Sequence, residues 1–193
     1  MHTARWDSEY DLSGKRVAVI GTGATAVQLV PELAKVAKRL DVYQRTPIWI
    51  MPKPDGPIPS WMRNIFRWSG MAQRSLRHGI GAVTETVMVM TAIYHKQMPW
   101  LVKAAESICL SNLRKQLPKR PDLWKKLTPR YGFGCKRPTF SNEYFSTFAQ
   151  DNVELVTDGI EAVTEGGIRT RDGQEREIDV LICATGFKVF EKG

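Results

Sequence analysis

Three sets of residues in this 193-residue chain have the types and spacing to do chemistry. The first is Gly21-Thr22-Gly23-Ala24-Thr25-Ala26, a G-x-G-x-x-A turn. Gly21 permits a tight turn, Gly23 leaves the backbone open to a pyrophosphate, and small Ala26 lets a helix lie close to a strand. The second is Arg45-Thr46, a cation beside a hydroxyl donor. The third is Lys136-Arg137, adjacent cations on a loop flanked by Gly132, Gly134 and Pro138, where the backbone can approach an anion closely. Together they describe a site for a phosphate-bearing dinucleotide.

The elements that must position them are legible. Arg16–Ile20 is a short apolar run that suits a buried parallel strand. A helix is expected from about Ala24 to Arg39, with Pro31 falling in its first two turns, where a missing N–H is least costly. Its N-terminal N–H groups and dipole favour phosphate, so Thr22, Ala24, Thr25 and Gln28 join the cofactor-binding candidates. A second strand, Asp41–Gln44, follows at the distance expected of a βαβ unit. In such units an acidic residue at the end of the second strand reads the ribose hydroxyl of NAD, whereas Arg accommodates the extra phosphate of NADP. Arg45 therefore points to NADP(H).

Residues 47–59 carry five prolines and read as an extended connection. Residues 60–128 are helical in character: a helix from Trp61 to about Arg77 capped by Ser60, punctuation at Gly79 and Gly81, a helical stretch from Val83 to about Leu117 broken near Pro99, and a short helix at Asp122–Leu127. Residues 129–150 read as a loop followed by a short helix. Strands resume at Val153–Val156. Ile160–Val163 and Gly167–Thr170 form an antiparallel meander, and Ile178–Ala184 is a final apolar strand ending in Thr185-Gly186-Phe187. Ligands of open α/β sheets bind beyond the carboxyl ends of strands, where the glycine turn, Arg45-Thr46 and Thr185-Gly186 all fall. The expected fold is α/β: a Rossmann-like, three-layer dinucleotide-binding domain (16–59 and 129–193) with a mostly parallel sheet, a small antiparallel meander and a helical insertion (60–128).

Charge and cysteine usage bound the alternatives. The net charge is +8. Residues 61–140 hold 15 Lys and Arg against 3 Asp and Glu, a surplus of 12 that leaves the rest of the chain at −4. This stretch suits a solvated helix face or one that meets NADP or another domain; nucleic acid is not the expected partner. Cys109, Cys135 and Cys183 show neither disulfide nor zinc spacing, so no metal site is expected and a reducing cytoplasm is. No apolar run reaches the length of a membrane span.

With these motifs in place, the chain resembles the class B flavin monooxygenases, and in particular the Baeyer–Villiger monooxygenases. His2-Thr-Ala-Arg-Trp6-Asp7 is similar to the second half of their fingerprint, Gly21–Ala26 with Gln44-Arg45-Thr46-Pro47 to their NADP site, Tyr131–Pro138 to their Lys-Arg loop, and Asp179–Phe187 to their D-x-x-x-x-A-T-G-F strand. The resemblance implies an enzyme in which NADPH reduces FAD, O2 adds to the flavin, and the resulting peroxide oxidises a ketone or a sulfide. It implies that Arg137 is catalytic, stabilising negative charge on the flavin-bound oxygen, that Lys136, Arg45 and Thr46 hold the 2′-phosphate of NADPH, and that His2, Trp6 and Asp7 belong to a linker (residues 1–15) from an FAD domain outside this chain. With one glycine turn only, the chain alone is expected to turn nothing over. A stand-alone NADP-sensing module and an N- or S-hydroxylating flavin monooxygenase are the competing readings; a disulfide reductase lacks support for want of a CxxC.

Overall fold

The computed structural model describes residues 1–93 and 97–187. Its centre is a parallel sheet of four strands in the order β5-β2-β1-β9: β1 (Arg16–Ile20), β2 (Arg39–Tyr43), β5 (Val153–Val156) and β9 (Val180–Cys183). Parallel neighbours need crossover connections. The first is helix α1 (Ala24–Val36). Alternation along each strand splits the sheet into two faces. Val17, Val19, Leu40, Val42, Leu155 and Ile182 meet Ala26, Val27, Val30 and Leu33 of α1 in the main core. Ala18, Tyr43 and Val156 face the other way, onto Ile168. That residue belongs to the antiparallel meander β6 (Ile160–Val163), β7 (Gly167–Thr170) and β8 (Glu175–Glu177), which carries the chain from β5 to β9. Helix, sheet and meander form three layers, and the mostly parallel sheet and the small antiparallel meander are as expected from the sequence.

α1 ends three residues earlier than expected, and β2 begins two residues earlier. The cause is hydrogen bonding at the base of β1. The N–H of Lys38 donates to the Lys15 carbonyl at 2.9 Å, and the Asn152 side-chain amide donates to the carbonyls of Ala34 and Ala37, each at 3.0 Å. The Lys38 bond diverts an N–H that a longer helix would have donated to Ala34, the Asn152 bonds satisfy helix carbonyls in its stead, and together they turn the chain into β2. Pro31 lies inside α1 and is buried.

The segment between β2 and β5 holds a two-stranded parallel pair and five helices. β3 (Ile50–Met51) pairs with β4 (Thr139–Phe140), so part of the extended proline-rich connection joins a small sheet. α2 (Ser60–Trp68) starts one residue early, with Pro59 rather than Ser60 at the cap. It stops at Ser69, whose Oγ accepts the N–H of Ala72 and so caps the next helix. α3 (Gly70–Ile93) then runs through Gly79 and Gly81, which do not punctuate as expected. Part of the expected helical stretch from Val83 to Leu117, residues 94–96, lies outside the described residues. α4 (Pro99–Gln116) opens with Pro99 in its first turn, so the break expected at this proline is present. α5 (Pro121–Leu127) follows, and α6 (Tyr144–Thr147) precedes β5. Leu113 and Leu117 near the end of α4, Leu123 and Leu127 of α5, and Tyr144, Phe145 and Phe148 around α6 complete the main core. α2 contributes no buried residue to it.

The first residues are tied to the sheet by main-chain bonds. The terminal amine of Met1 donates to the Leu181 carbonyl at 2.6 Å, Cys183 N–H to the Met1 carbonyl at 2.9 Å, and Thr3 N–H to the Cys183 carbonyl at 3.0 Å. At the opposite end of β9, Asp179 accepts the Arg16 N–H at 2.7 Å and pairs with the Arg16 guanidinium, which also contacts Glu177. Asp179, just before β9, thus fixes the bottom of the sheet, away from the glycine turn.

Candidate functional site at the carboxyl ends of the strands

The glycine turn closes over the top of β1. Gly21 has φ +113°, in the region that favours glycine, and its N–H donates to the Tyr43 carbonyl at 3.2 Å. A Cβ there would lie 2.5 Å from the Ala184 carbonyl oxygen. Gly21 is therefore required by the approach of β9, independently of any ligand. Gly23 is different. Its φ of −72° suits any residue, and a Cβ built on it meets nothing within 4 Å. The open space over Gly23 is where the helix presents its unbonded N–H groups. No side chain caps α1, and its first turn holds no acidic residue. Ala26 is fully buried against the sheet.

Thr22 is buried, and its hydroxyl donates to the Thr46 carbonyl at 2.9 Å. This bond joins the glycine turn to the end of β2, and it commits the Thr22 hydroxyl proton, leaving the backbone N–H as the donor for an anion. Ala24 and Gln28 are exposed, and Thr25 is half-buried, on the outward side of α1's first turns. Arg45 is exposed and Thr46 half-buried just beyond β2.

A cavity of about 570 Å³ opens at this point, lined by Gln44, Arg45, Thr46, Pro47, Lys125, Lys126, Thr128, Arg130, Tyr131 and Thr157. It contains four cations and no carboxylate. Among the described residues, no acidic side chain pairs with Arg45, Lys125, Lys126 or Arg130. Two bonds fix the cavity wall. Trp49 Nε1 donates to the Tyr131 carbonyl at 2.8 Å, and the Tyr131 hydroxyl donates to the Pro47 carbonyl at 3.0 Å. The charge pattern is complementary to an anion with several charges.

The structure brings some sequence candidates together and leaves others apart. Lys136 and Arg137 are exposed on their loop. Lys136 Nζ sits 4.9 Å from the ring centroid of Tyr131, a residue of the cavity wall, but Lys136 itself does not line the cavity. Arg137 takes part in no hydrogen bond or ion pair among the described residues. His2 forms a β-bridge with Cys183 and lies 3.4 Å from the Thr185 hydroxyl through Nε2. Its ring meets Phe187 edge-on at 6.4 Å. His2 and the Thr185-Gly186 strand end are thus one cluster. Gly186, at φ +101°, makes the turn that ends it. Trp6 is 41% exposed, and Asp7 accepts the Glu9 N–H at 3.1 Å, close in sequence and away from the cavity. The sequence missed Lys125, Lys126 and Arg130. Their signal, three cations in six residues after Pro121, was read only as part of a basic stretch. No group of three or more metal-ligating side chains occurs among the described residues. No helix there is long and apolar enough to cross a membrane.

No family model matches the chain. It is 43% identical over 187 residues to a Baeyer–Villiger monooxygenase of Pseudomonas aeruginosa, covering 96% of this chain and 34% of that protein. It is 36% identical over 199 residues to the FAD-binding monooxygenase ktnD of Aspergillus niger, covering 99% of this chain and 31% of that protein. Among solved structures it is similar to an oxidised steroid monooxygenase bound to NADP, with TM-score 0.78 and 28% identity over 97% of this chain and 42% of the other. A cyclohexanone monooxygenase bound to ε-caprolactone superposes with TM-score 0.76 and 25% identity, covering 97% of this chain and 43% of the other. The chain spans about a third of the length of the curated relatives it matches. Over nearly its whole length the chain thus matches, in sequence and in fold, one part of the Baeyer–Villiger and other FAD-binding monooxygenases, which are enzymes.

Proposed function

We propose that this chain binds NADP(H) and is the nucleotide-binding part of an FAD- and NADPH-dependent monooxygenase that oxidises ketones or sulfides. The observation that carries the reading is the pairing of two features at the top of one sheet: an uncapped helix N-terminus with open space over Gly23, and a cavity beside Arg45 that holds four cations and no acid. The residues fit one dinucleotide. The backbone of Gly21–Ala26 would take the pyrophosphate, Arg45 and Thr46 the 2′-phosphate, and Lys136 would add charge from beyond Tyr131. No second strand–glycine turn–helix unit occurs in the sequence, so the flavin would be held mainly by a domain outside this chain. When bound, NADPH supplies a hydride and the flavin supplies the oxygen chemistry.

The chain's own residues would orient and stabilise. Arg137, with no competing acidic partner among the described residues, is free to face negative charge that develops at the flavin, a guanidinium being well suited to an oxyanion. His2 would hold Thr185 and Gly186 in place beside the nicotinamide end of the site, and Trp6 and Asp7 would lie between the domains. Three unpaired cysteines suit a reducing cytoplasm. The test is calorimetric titration of this chain with NADPH and NADH at low salt, alongside Arg45→Ala. Binding of NADPH that greatly exceeds NADH, with the difference lost in the variant, supports the reading. Equal affinity for both would overturn the role given to Arg45. A longer chain that binds NADPH but never a flavin would favour the sensing module over the monooxygenase.

A further inference from the structure

We infer that the exit of the helical insertion, Lys125, Lys126 and Arg130, is a second wall of the 2′-phosphate site, and that Gln44 is the positioning residue that holds this wall against Arg45. The inference rests on the reading of the cavity as an NADP(H) site and goes beyond the residues that the glycine turn and Arg45 identify.

Gln44 is the first residue after β2 and is 5% exposed. A buried amide needs partners. Its backbone N–H donates to the Val156 carbonyl at 2.8 Å, which extends the sheet toward β5. Its side-chain Nε2 donates to the Lys126 carbonyl at 2.7 Å, across 82 residues of sequence. This bond reaches the last turn of α5, where carbonyls have no helical partner. Two further bonds make that turn rigid: Thr128 Oγ1 donates to the Trp124 carbonyl at 2.7 Å, and Trp124 Nε1 donates to the Leu117 carbonyl at 2.9 Å. Leu127 below it is 2% exposed in the main core. The backbone under Lys125, Lys126 and Arg130 is therefore fixed, while their side chains are exposed at the cavity.

The consequence is geometric. Arg45 is placed by β2, whereas Lys125, Lys126 and Arg130 come from the insertion and its exit. Gln44 is adjacent to Arg45 in sequence and bonded to Lys126 in space, so one side chain sets the separation of the two walls. Arg45 alone offers a ribose phosphate one side. With the second wall, a dianion is met from both, and the closest competitor, the ribose hydroxyl of NADH, gains nothing from three extra cations.

The experiment uses this chain in calorimetric titrations with NADPH and NADH at two salt concentrations. The variants are Lys125→Gln/Lys126→Gln and Gln44→Met, which keeps the volume and removes the donor. The double variant is expected to lose about tenfold in NADPH affinity and less than about twofold for NADH, with a weaker dependence on salt. Gln44→Met is expected to lower the NADPH-to-NADH preference in the same direction although every cation remains. A merely structural role for Gln44 would lower both affinities by one factor, and that result would overturn its assignment. An unchanged NADPH-to-NADH preference in the double variant would overturn the second wall. The failure of the underlying reading looks different: unmodified protein that binds neither nucleotide, or binds both equally, removes the site itself.

Discussion

The two glycines of the turn separate folding from binding, and Gly23→Ala isolates the second. At Gly23 the backbone is in a region open to alanine, and a Cβ meets nothing within 4 Å. The folded state has room for the methyl group. The remaining cost is that of exchanging glycine for alanine at a helix cap, about 1 kcal/mol or less. The same methyl group occupies the space through which a pyrophosphate would reach the N–H groups of α1. Charge-assisted hydrogen bonds contribute about 1.5–3 kcal/mol each. Displacing the phosphate from one of them weakens NADPH by roughly tenfold to a hundredfold. Gly21→Ala is the control with the opposite signature. Its Cβ would stand 2.5 Å from the Ala184 carbonyl oxygen at φ +113°, and such strain costs about 1–3 kcal/mol before any ligand is added. Thermal unfolding and calorimetry on both variants give the assay. The expected result is that Gly23→Ala unfolds close to the parent and binds poorly, whereas Gly21→Ala unfolds markedly earlier. Parent-like NADPH affinity in Gly23→Ala would refute the placement of the phosphate over the helix.

Other predictions concern the frame. Asp179 is held at about 2, below the usual 3.8, chiefly by its hydrogen bond to the Arg16 side chain. A depressed carboxyl stabilises the fold above the unfolded value and ceases to do so as pH falls through the folded one. Asp179→Asn should therefore flatten the stability profile between about pH 4 and pH 2, as acid titration followed by circular dichroism would show; an unchanged profile would assign that acid sensitivity elsewhere. The Tyr43 hydroxyl is buried with no partner among the described residues, and burial pushes its pKa up to about 12. Tyr43→Phe should leave stability unchanged or raise it by about 1 kcal/mol, since it removes an unsatisfied polar atom; chemical denaturation that shows a loss would reveal a partner for that hydroxyl. Phe148 is fully buried with Tyr144 edge-on at 5.1 Å, so Phe148→Ala should cost about 3–5 kcal/mol. Trp68 is 91% exposed, so Trp68→Ala in the same chain should stay within about 0.5 kcal/mol.

The parts of the fold that could be read from the sequence are those where local pattern and tertiary role agree. Arg16–Ile20 is apolar because both of its faces are covered, by α1 and by the meander. The turns at Glu165-Gly166 and Asp172-Gly173 close neighbouring strands, so short-range chemistry is enough to find them. Features set by distant partners were not legible. Ile50–Met51 is too short to announce itself as a strand and pairs with Thr139–Phe140, far along the chain. The break at Ser69 depends on one hydroxyl capping α3, whereas Gly79 and Gly81 offered a stronger local signal that the helix overrides. The same division holds for the site. Gly21, Gly23, Arg45 and Thr185 lie at strand ends and follow from the βαβ pattern. Lys125, Lys126 and Arg130 come to the cavity from a distant part of the chain, and the Gln44 bond to the Lys126 carbonyl is one that no sequence period encodes. The main-chain pairing of His2 with Cys183 likewise has no signal in residues 1–15.

Amide hydrogen exchange with and without NADPH tests the central claim most directly, because it reports where the nucleotide sits. The account predicts slower exchange on NADPH addition at residues 21–26, 44–47 and 125–131, with NADH giving weaker protection at 44–47 and 125–131. Protection confined to other segments, such as the exposed faces of α2 and α3, or no protection at the glycine turn at saturating NADPH, would contradict it.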